Sequence, residues 1–252
     1  MTDPSELLID AGNSRVKWAI YQSGTLDVGA PFAHTVGVLG DRLNEAWDNL
    51  PPPKQAWLSN VGGGLLAEQI AAWMTVRWPT CAFVEVKPQR QACGVTTRYE
   101  SPERLGVDRW LALVGARASV DGAVCVVDCG TAITLDAMDA SGVHWGGLIA
   151  PGLQWMQQGI AQRLPALTVA PSSYQGLLAT NTAAGVLSGT LHAALGLIER
   201  SVSDVGALLG TLPELILTGG DAETLRPHLR IPCRYSPHLV LEGLRLFAES
   251  NR

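Results

Sequence analysis

The chain has 252 residues, 47% of them apolar, enough to bury a substantial core in one large domain or two ordinary ones and to argue against disorder. A net charge of -5 argues against a surface built mainly to hold nucleic acid, which leaves small-molecule chemistry as the expectation. The opening MTDPSELLID lacks the basic start and long apolar stretch of a secretory signal, and no run approaches the length needed to cross a bilayer, so a cytoplasmic location without a membrane partner is expected.

Residues 6–9 form a short apolar run, 16–21 alternate around Trp18 and Ile20, and a third run follows the Ser23-Gly24 turn, a pattern that predicts a three-stranded meander. A helix over 39–50, the strand AWLSNV at 56–61, a helix over 65–76 and the strand CAFVEV at 81–86 follow. The segment 102–118 reads as one long helix with Leu111, Val114 and Ala118 on its apolar face. The domain boundary is placed near it, giving a first domain over 1–112 and a second over 113–252. From 123 the order starts again: a strand, an Asp-x-Gly corner, a second strand, a Ser-Gly turn and a third strand. Helices over 152–162 and 181–209, the strand ELILTGG at 214–220, a helix over 222–228 and a last helix over 238–249 complete it. Two mixed α/β halves with one element order suggest a duplicated domain, with a ligand in the crevice between the halves.

The five cysteines are scattered with no Cys-x-x-Cys pair, and read as reduced, mostly buried thiols rather than a disulfide framework or a zinc site. The five histidines are equally dispersed and imply no transition metal. Trp18, Trp110, Trp145 and Trp155 are tempting partners for an adenine ring, but their apolar spacing reads as core packing.

The corners themselves carry the chemistry. In LLIDAGNSRVKWAI, residues 7–20, the Asp-x-Gly step reads either as a hairpin turn or as a phosphate cradle, with backbone amides near Gly12 facing an anion while Asp10 faces its metal. A second such corner at an equivalent place favours the cradle. Each sets a carboxylate beside small polar residues at a strand end, Asp10 with Asn13 and Ser14, and Asp128 with Thr131, which suits a nucleoside triphosphate with its magnesium.

These residues resemble the two phosphate loops of the actin, sugar kinase and heat-shock ATPase superfamily, and within it the sequence is similar to the type III pantothenate kinases. The resemblance rests on DAGNSRVK at 10–17, GVDR at 106–109, DCGTAITLD at 128–136, GGLIAPG at 146–152 and the pair Asn181 and Thr182, in order over nearly the whole chain. It implies an α/β fold of duplicated ribonuclease H-like, actin-like ATPase domains, each a mixed sheet flanked by helices, with the active site in the cleft between them. The implied activity is ATP-dependent phosphorylation of pantothenate to 4′-phosphopantothenate, the first step of coenzyme A biosynthesis. ATP with Mg2+ would be bound by Asp10, Ala11, Gly12, Asn13, Ser14, Arg15, Val16, Lys17 and Thr131, with Gly219 and Gly220 against the adenosine. Asp108 would be the catalytic base, and Tyr99, Gly106, Val107, Asp108, Arg109 and Thr182 would contact pantothenate. Asp128 would coordinate a monovalent cation, K+ or NH4+, and the chain would form a homodimer. Ser14 departs from the threonine usual in that family: it keeps the hydroxyl and loses a methyl group.

Taken without the family, Asp108 reads as a helix N-cap or first-turn acid, and the two readings are compatible. A helix N-terminus favours the ionised carboxylate, which can accept a hydrogen bond from an attacking hydroxyl. Phosphoryl transfer tolerates so weak a base, because its loose transition state needs alignment and charge neutralisation more than early proton removal. Arg109 reads either as a phosphate or pantothenate ligand or as a surface helix cation, and Lys17 either as a site residue or as a solvated strand lysine. Two rival functions remain, beside the third possibility of another kinase or phosphatase of the same superfamily. The stretch GGGLLA at 62–67, with Glu85 at ribose distance, fits a dinucleotide fingerprint and would make the chain a nicotinamide oxidoreductase, yet it leaves the second Asp-x-Gly corner unexplained. The other rival is a non-catalytic regulator that keeps the kinase fold.

Overall fold

The computed structural model describes residues 5–34, 37–164 and 173–252. The chain divides into two compact units, one formed by Met1–Ser119 with His238–Arg252 and the other by Val120–Pro237.

The first unit begins with β1 (Glu6–Ala11), β2 (Arg15–Gln22), β3 (Thr25–Val28) and the short β4 (Phe32–Ala33). Ser23 and Gly24 both hold positive φ, 51° and 80°, the geometry that joins two strands in a two-residue hairpin without opposing their twist. Next come α1 (Leu39–Trp47), β5 (Gln55–Asn60), α2 (Gly64–Arg77) and β6 (Ala82–Glu85). The sheet runs β3-β2-β1-β5-β6, antiparallel within the meander and parallel from β1 onward, with β4 beside β2. All six residues of β1 are buried, as a central strand covered on both faces requires, and Leu7, Ile9, Val16, Leu58, Ile70 and Met74 share one core. Trp47, fully buried at the end of α1, anchors it with Trp18, Trp73 and Trp78 within 6.4 Å.

A small hairpin, β7 (Gln91–Ala92) and β8 (Val95–Thr97), then leads through a 3-10 turn at Pro102–Arg104 into α3 (Val107–Arg117). The single helix expected over 102–118 is therefore two pieces. Leu105 and Gly106 are extended, with ψ of 133° and 129°, and this break places Asp108 in the first turn of α3 rather than inside a longer helix.

The second unit holds β9 (Val124–Cys129), β10 (Ala132–Met138), β11 (Val143–Pro151), α4 (Leu153–Arg163), α5 (Thr182–Leu209), β12 (Glu214–Thr218), α6 (Ala222–Leu225) and β13 (Arg234–Tyr235). Within it the strands run β13-β12-β9-β10-β11, antiparallel among β9, β10 and β11 and parallel between β9, β12 and β13. With the two-residue β4 set aside, both units follow one order read from the third strand: third, second, first, fourth, fifth. The duplication expected from the element order is thus present as two mixed sheets flanked by helices. The helix expected over 222–228 closes early, with a 3-10 turn at Arg226–His228 around Pro227. The long α5 starts where Asn181 accepts a hydrogen bond from the Ala184 amide, 2.9 Å, and stops at Gly210 in the left-handed region.

The chain then returns to the first unit as α7 (Leu239–Ser250), where Phe247 meets Trp57 and Trp110 edge-on at 6.0 and 5.4 Å. The boundary expected between 112 and 113 falls inside α3. The buried residues Trp110, Leu111, Leu113 and Val114 make α3 integral to the first unit, and its partner helix comes from the end of the chain.

Candidate active site

In the first unit, β1 and β2 meet at a loop whose shape is fixed by main-chain bonds. The Gly12 amide donates to Arg15 O at 3.0 Å, and the Val61 and Gly62 amides both donate to Ala11 O, at 3.0 and 3.1 Å. His34, just past β4, adds a bond of 2.7 Å from Nε2 to Gly12 O; a carbonyl only accepts, so Nε2 is the donor. Asp10 lies next to the end of β1 and is 6% exposed, with Ser59 of the parallel neighbour β5 donating to its Oδ1 at 3.2 Å. Ala11 and Val16 face the core, so they can serve the loop only through their backbone, whereas Asn13, Ser14 and Arg15 are exposed and Lys17 is half-buried opposite Asp10 in the β1–β2 register.

The residues after this loop answer the dinucleotide alternative. A β-carbon on Gly62 would stand 2.6 Å from Leu66 Cδ2 and 2.8 Å from Gly12 O. Gly62 is a glycine because the β5–α2 corner packs against the Asp10 loop, a close-packing reason that needs no pyrophosphate.

Also in the first unit, the start of α3 gathers three polar side chains. Gly106 is the N-cap, Val107 is buried, and Asp108 is half-buried in the first turn, its Oδ1 accepting from the Arg109 amide at 2.8 Å. Arg109 is 8% exposed, a rare degree of burial for a guanidinium. Its Nη1 donates to Tyr99 Oη at 3.1 Å, and its guanidinium carbon lies 5.9 Å from the centre of the Tyr99 ring. A guanidinium and a phenol thus meet next to the carboxylate of the preceding residue at a helix N-terminus, where the dipole favours negative charge.

In the second unit, β9 and β10 meet at Asp128, Gly130 and Thr131. The Gly130 amide donates to Ala132 O and the Gly152 amide to Thr131 O, each at 3.1 Å. Asp128 and Thr131 are half-buried at this corner, and Thr182, the first residue of α5, is exposed. Main chain closes on the loop from two sides. A β-carbon on Gly152 would stand 2.3 Å from Gly130 O, and one on Gly219 would stand 2.4 Å from Asp128 Oδ1. The adjacent Gly220 is exposed, with open space where a β-carbon would go. The Asp221 amide donates to Cys129 O at 2.8 Å, and burial raises the Asp221 carboxyl above its usual range. Burial, and then the charges of Asp128 and Asp221, also push the Cys129 thiol well up, which makes it an inert packing group rather than a nucleophile.

The donor sets at both corners are oxygens, and around Asp128 the glycines leave a cradle that a β-carbon would fill. That chemistry fits a hard cation such as magnesium or potassium better than a soft one. Each unit therefore presents its own Asp-x-Gly loop, and the first also presents Asp108, Arg109 and Tyr99. Ser59 and His34 were not legible as partners of the first loop: the signal for Ser59 is its register opposite Asp10 in a parallel pair, and His34 bonds to main chain. Of the four tryptophans named above as tempting partners for an adenine ring, Trp18 and Trp110 are core residues, and Trp145 is half-buried with its indole N–H bonded to Asp139. Trp155 departs from the core reading, being 61% exposed on α4.

The sequence profile of the type III pantothenate kinase family matches residues 6–204. A type III pantothenate kinase from Nitrosococcus oceani is 37% identical over 250 residues, covering 96% of this chain and 93% of its own length. One from Burkholderia multivorans is 39% identical over 261 residues, covering 98% and 97%. Among solved structures, MreB 5 of Spiroplasma citri bound to AMPPNP superposes with a TM-score of 0.53 at 10% identity, covering 98% of this chain and 97% of its own, a likeness of fold.

Proposed function

The chain belongs to the type III pantothenate kinase family, and on that premise we propose that its Asp-x-Gly loops and the start of α3 carry out phosphorylation of pantothenate by ATP. The product is 4′-phosphopantothenate, and the reaction opens coenzyme A biosynthesis. The observation that carries the assignment of residues is the cluster of Asp108, Arg109 and Tyr99 at one helix N-terminus.

Asp108 accepts a hydrogen bond from the primary hydroxyl of pantothenate and holds its oxygen in line with the γ-phosphorus. As that oxygen bonds to phosphorus, the bond from the γ-phosphorus to the bridging oxygen breaks, ADP leaves and the hydroxyl proton passes to Asp108. Arg109, a donor at every nitrogen, and Tyr99 orient the acceptor, with the backbone of Gly106 and Val107 and the hydroxyl of Thr182 as further contacts. In the first loop Asp10, Ala11, Gly12, Asn13, Ser14, Arg15, Val16 and Lys17 bind ATP, Ala11 and Val16 through main chain only, and Thr131 binds it from the second loop. Asp10 is the carboxylate that would hold magnesium, which neutralises charge on the triphosphate. Asp128 would hold potassium or ammonium, and Gly219 with Gly220 would lie against the adenosine.

No helix among the described residues is long and apolar enough to cross a membrane. The proposed working form is a cytoplasmic homodimer with neither nucleic acid nor membrane as partner. Incubation with magnesium-ATP and pantothenate, followed by mass analysis, should give a product one phosphate heavier than pantothenate. If folded protein yields none across a range of magnesium and potassium concentrations, a non-catalytic regulator becomes the better reading.

A further inference from the structure

We propose that Arg90, which has no part in the chemistry above, is the positioning residue that sets the pantothenate pocket by holding the segment that carries Tyr99. The inference rests on the reading that Tyr99 lines that pocket. Arg90 sits where the chain enters the β7–β8 hairpin, and its guanidinium reaches across to the chain leaving it. Nη1 donates to Thr97 O at 3.0 Å and to Tyr99 O at 2.5 Å, and Nη2 donates to Glu100 O at 2.9 Å. The Arg90 carbonyl accepts from the Thr97 amide at 3.0 Å, and the Thr97 hydroxyl accepts from the Tyr99 amide at 3.2 Å.

The placement matters because β8 ends at Thr97, and the next regular element begins at Pro102. Thr97 closes the strand and Tyr99 and Glu100 lie outside any strand or helix, so a side chain that gathers three carbonyls within four residues ties the course of this segment to the end of β8. The planar fork suits this, because Nη1 and Nη2 spread their donors across the three carbonyls, whereas a lysine ammonium would have to reach all three from a single nitrogen on a more flexible stem. The pinned segment places Tyr99 so that its Oη meets Arg109, which is buried and adjacent to Asp108. Arg90 itself is exposed, so replacing it opens no cavity.

The test compares Arg90→Met, Arg90→Lys and Tyr99→Ala in the full chain by steady-state kinetics on both substrates, with melting curves. For Arg90→Met, KM for pantothenate should rise about tenfold, the size expected when charge-assisted hydrogen bonds are lost. KM for ATP and the melting temperature should stay at wild-type values, and Arg90→Lys should fall between. If Tyr99→Ala raises KM for pantothenate while Arg90→Met does not, the role of Arg90 is refuted and the pocket assignment survives. If Tyr99→Ala leaves that KM unmoved, the pocket assignment fails and the proposal falls with it. A rise in both KM values together with a lowered melting temperature would make Arg90 a general structural residue and equally overturn the inference.

Discussion

A β-carbon on Gly219 would stand 2.4 Å from Asp128 Oδ1 and 2.6 Å from the backbone N and C of Cys129, so the end of β12 and the end of β9 touch main chain to carboxylate. Gly219 also holds φ of +91°, a region that side chains rarely enter. Both effects oppose alanine, and neither neighbour is the flexible end of a long side chain. Gly219→Ala should therefore lose about 1–3 kcal/mol of stability and weaken ATP binding. Gly220→Ala, with open space at its β-carbon, is the matched control. Urea unfolding of the two variants checks this, and equal midpoints would refute the packing account.

The cradle around Asp128 has a consequence for ions. If it holds the monovalent cation, replacing potassium by sodium should lower turnover in the wild-type protein, because the smaller ion fits a different set of oxygen distances. Asp128→Asn should abolish the difference between the two salts. Activity measured in matched chloride salts decides it, and a wild-type enzyme indifferent to the exchange would retire the assignment.

Much of this architecture was legible because local pattern and long-range structure agree. The alternation through Val16, Trp18 and Ile20 and the Ser23-Gly24 turn give the first meander, and the same order recurs from Val124. The Asp10, Asp128 and Asp108 positions follow from motif residues at strand ends and a helix start. What stayed hidden depends on distance along the chain or on main chain. The end of the chain reads as a helix, but nothing local says that Phe247 packs on Trp57 and Trp110, so the sequence alone does not return that helix to the first unit. The β7–β8 hairpin is too short to alternate, although Cys93 and Gly94 carry the two positive φ values of a tight turn. Pro102–Arg104 resembles a helix start in composition and so reads as one helix with α3, although the extended Leu105 and Gly106 separate them. His34 and Arg90 bond to carbonyls, which every residue possesses, so no residue pattern could announce them.

The buried thiols give a test of the second unit's core. Burial, helped by the charge of Asp136, pushes Cys125 from the usual 9.0 up to about 12. The folded protein thus keeps this thiol neutral where the unfolded chain would ionise it. Its contribution to stability is complete below about pH 9 and is lost as pH rises toward about 12. Melting temperature should hold steady into mild alkali and then fall. At about pH 8, iodoacetamide should label Cys125 and Cys129 only after unfolding, while the half-buried Cys81, Cys93 and Cys233 react first. Rapid alkylation of Cys125 in the native protein, located by peptide mass analysis, would contradict the packing of β9.

The most direct test of the chemistry is Asp108→Asn. Asparagine has the same shape, and its carbonyl can still accept from the Arg109 amide as Asp108 Oδ1 does at 2.8 Å, so the start of α3 should form as before. Lost with the charge is a favourable interaction with the helix N-terminus, a cost of at most about 1 kcal/mol at so partly exposed a place. The substitution also removes the atom that takes the hydroxyl proton. ATP affinity by calorimetry and the circular dichroism melt should therefore change little, while kcat falls by about 10²–10⁴, the range for deleting a general base. Because the transition state is loose, the lower end of that range is the better expectation. A variant that turns over pantothenate at the wild-type rate would take Asp108 out of the mechanism and leave the burial of Arg109 against Tyr99 to be explained by acceptor binding alone.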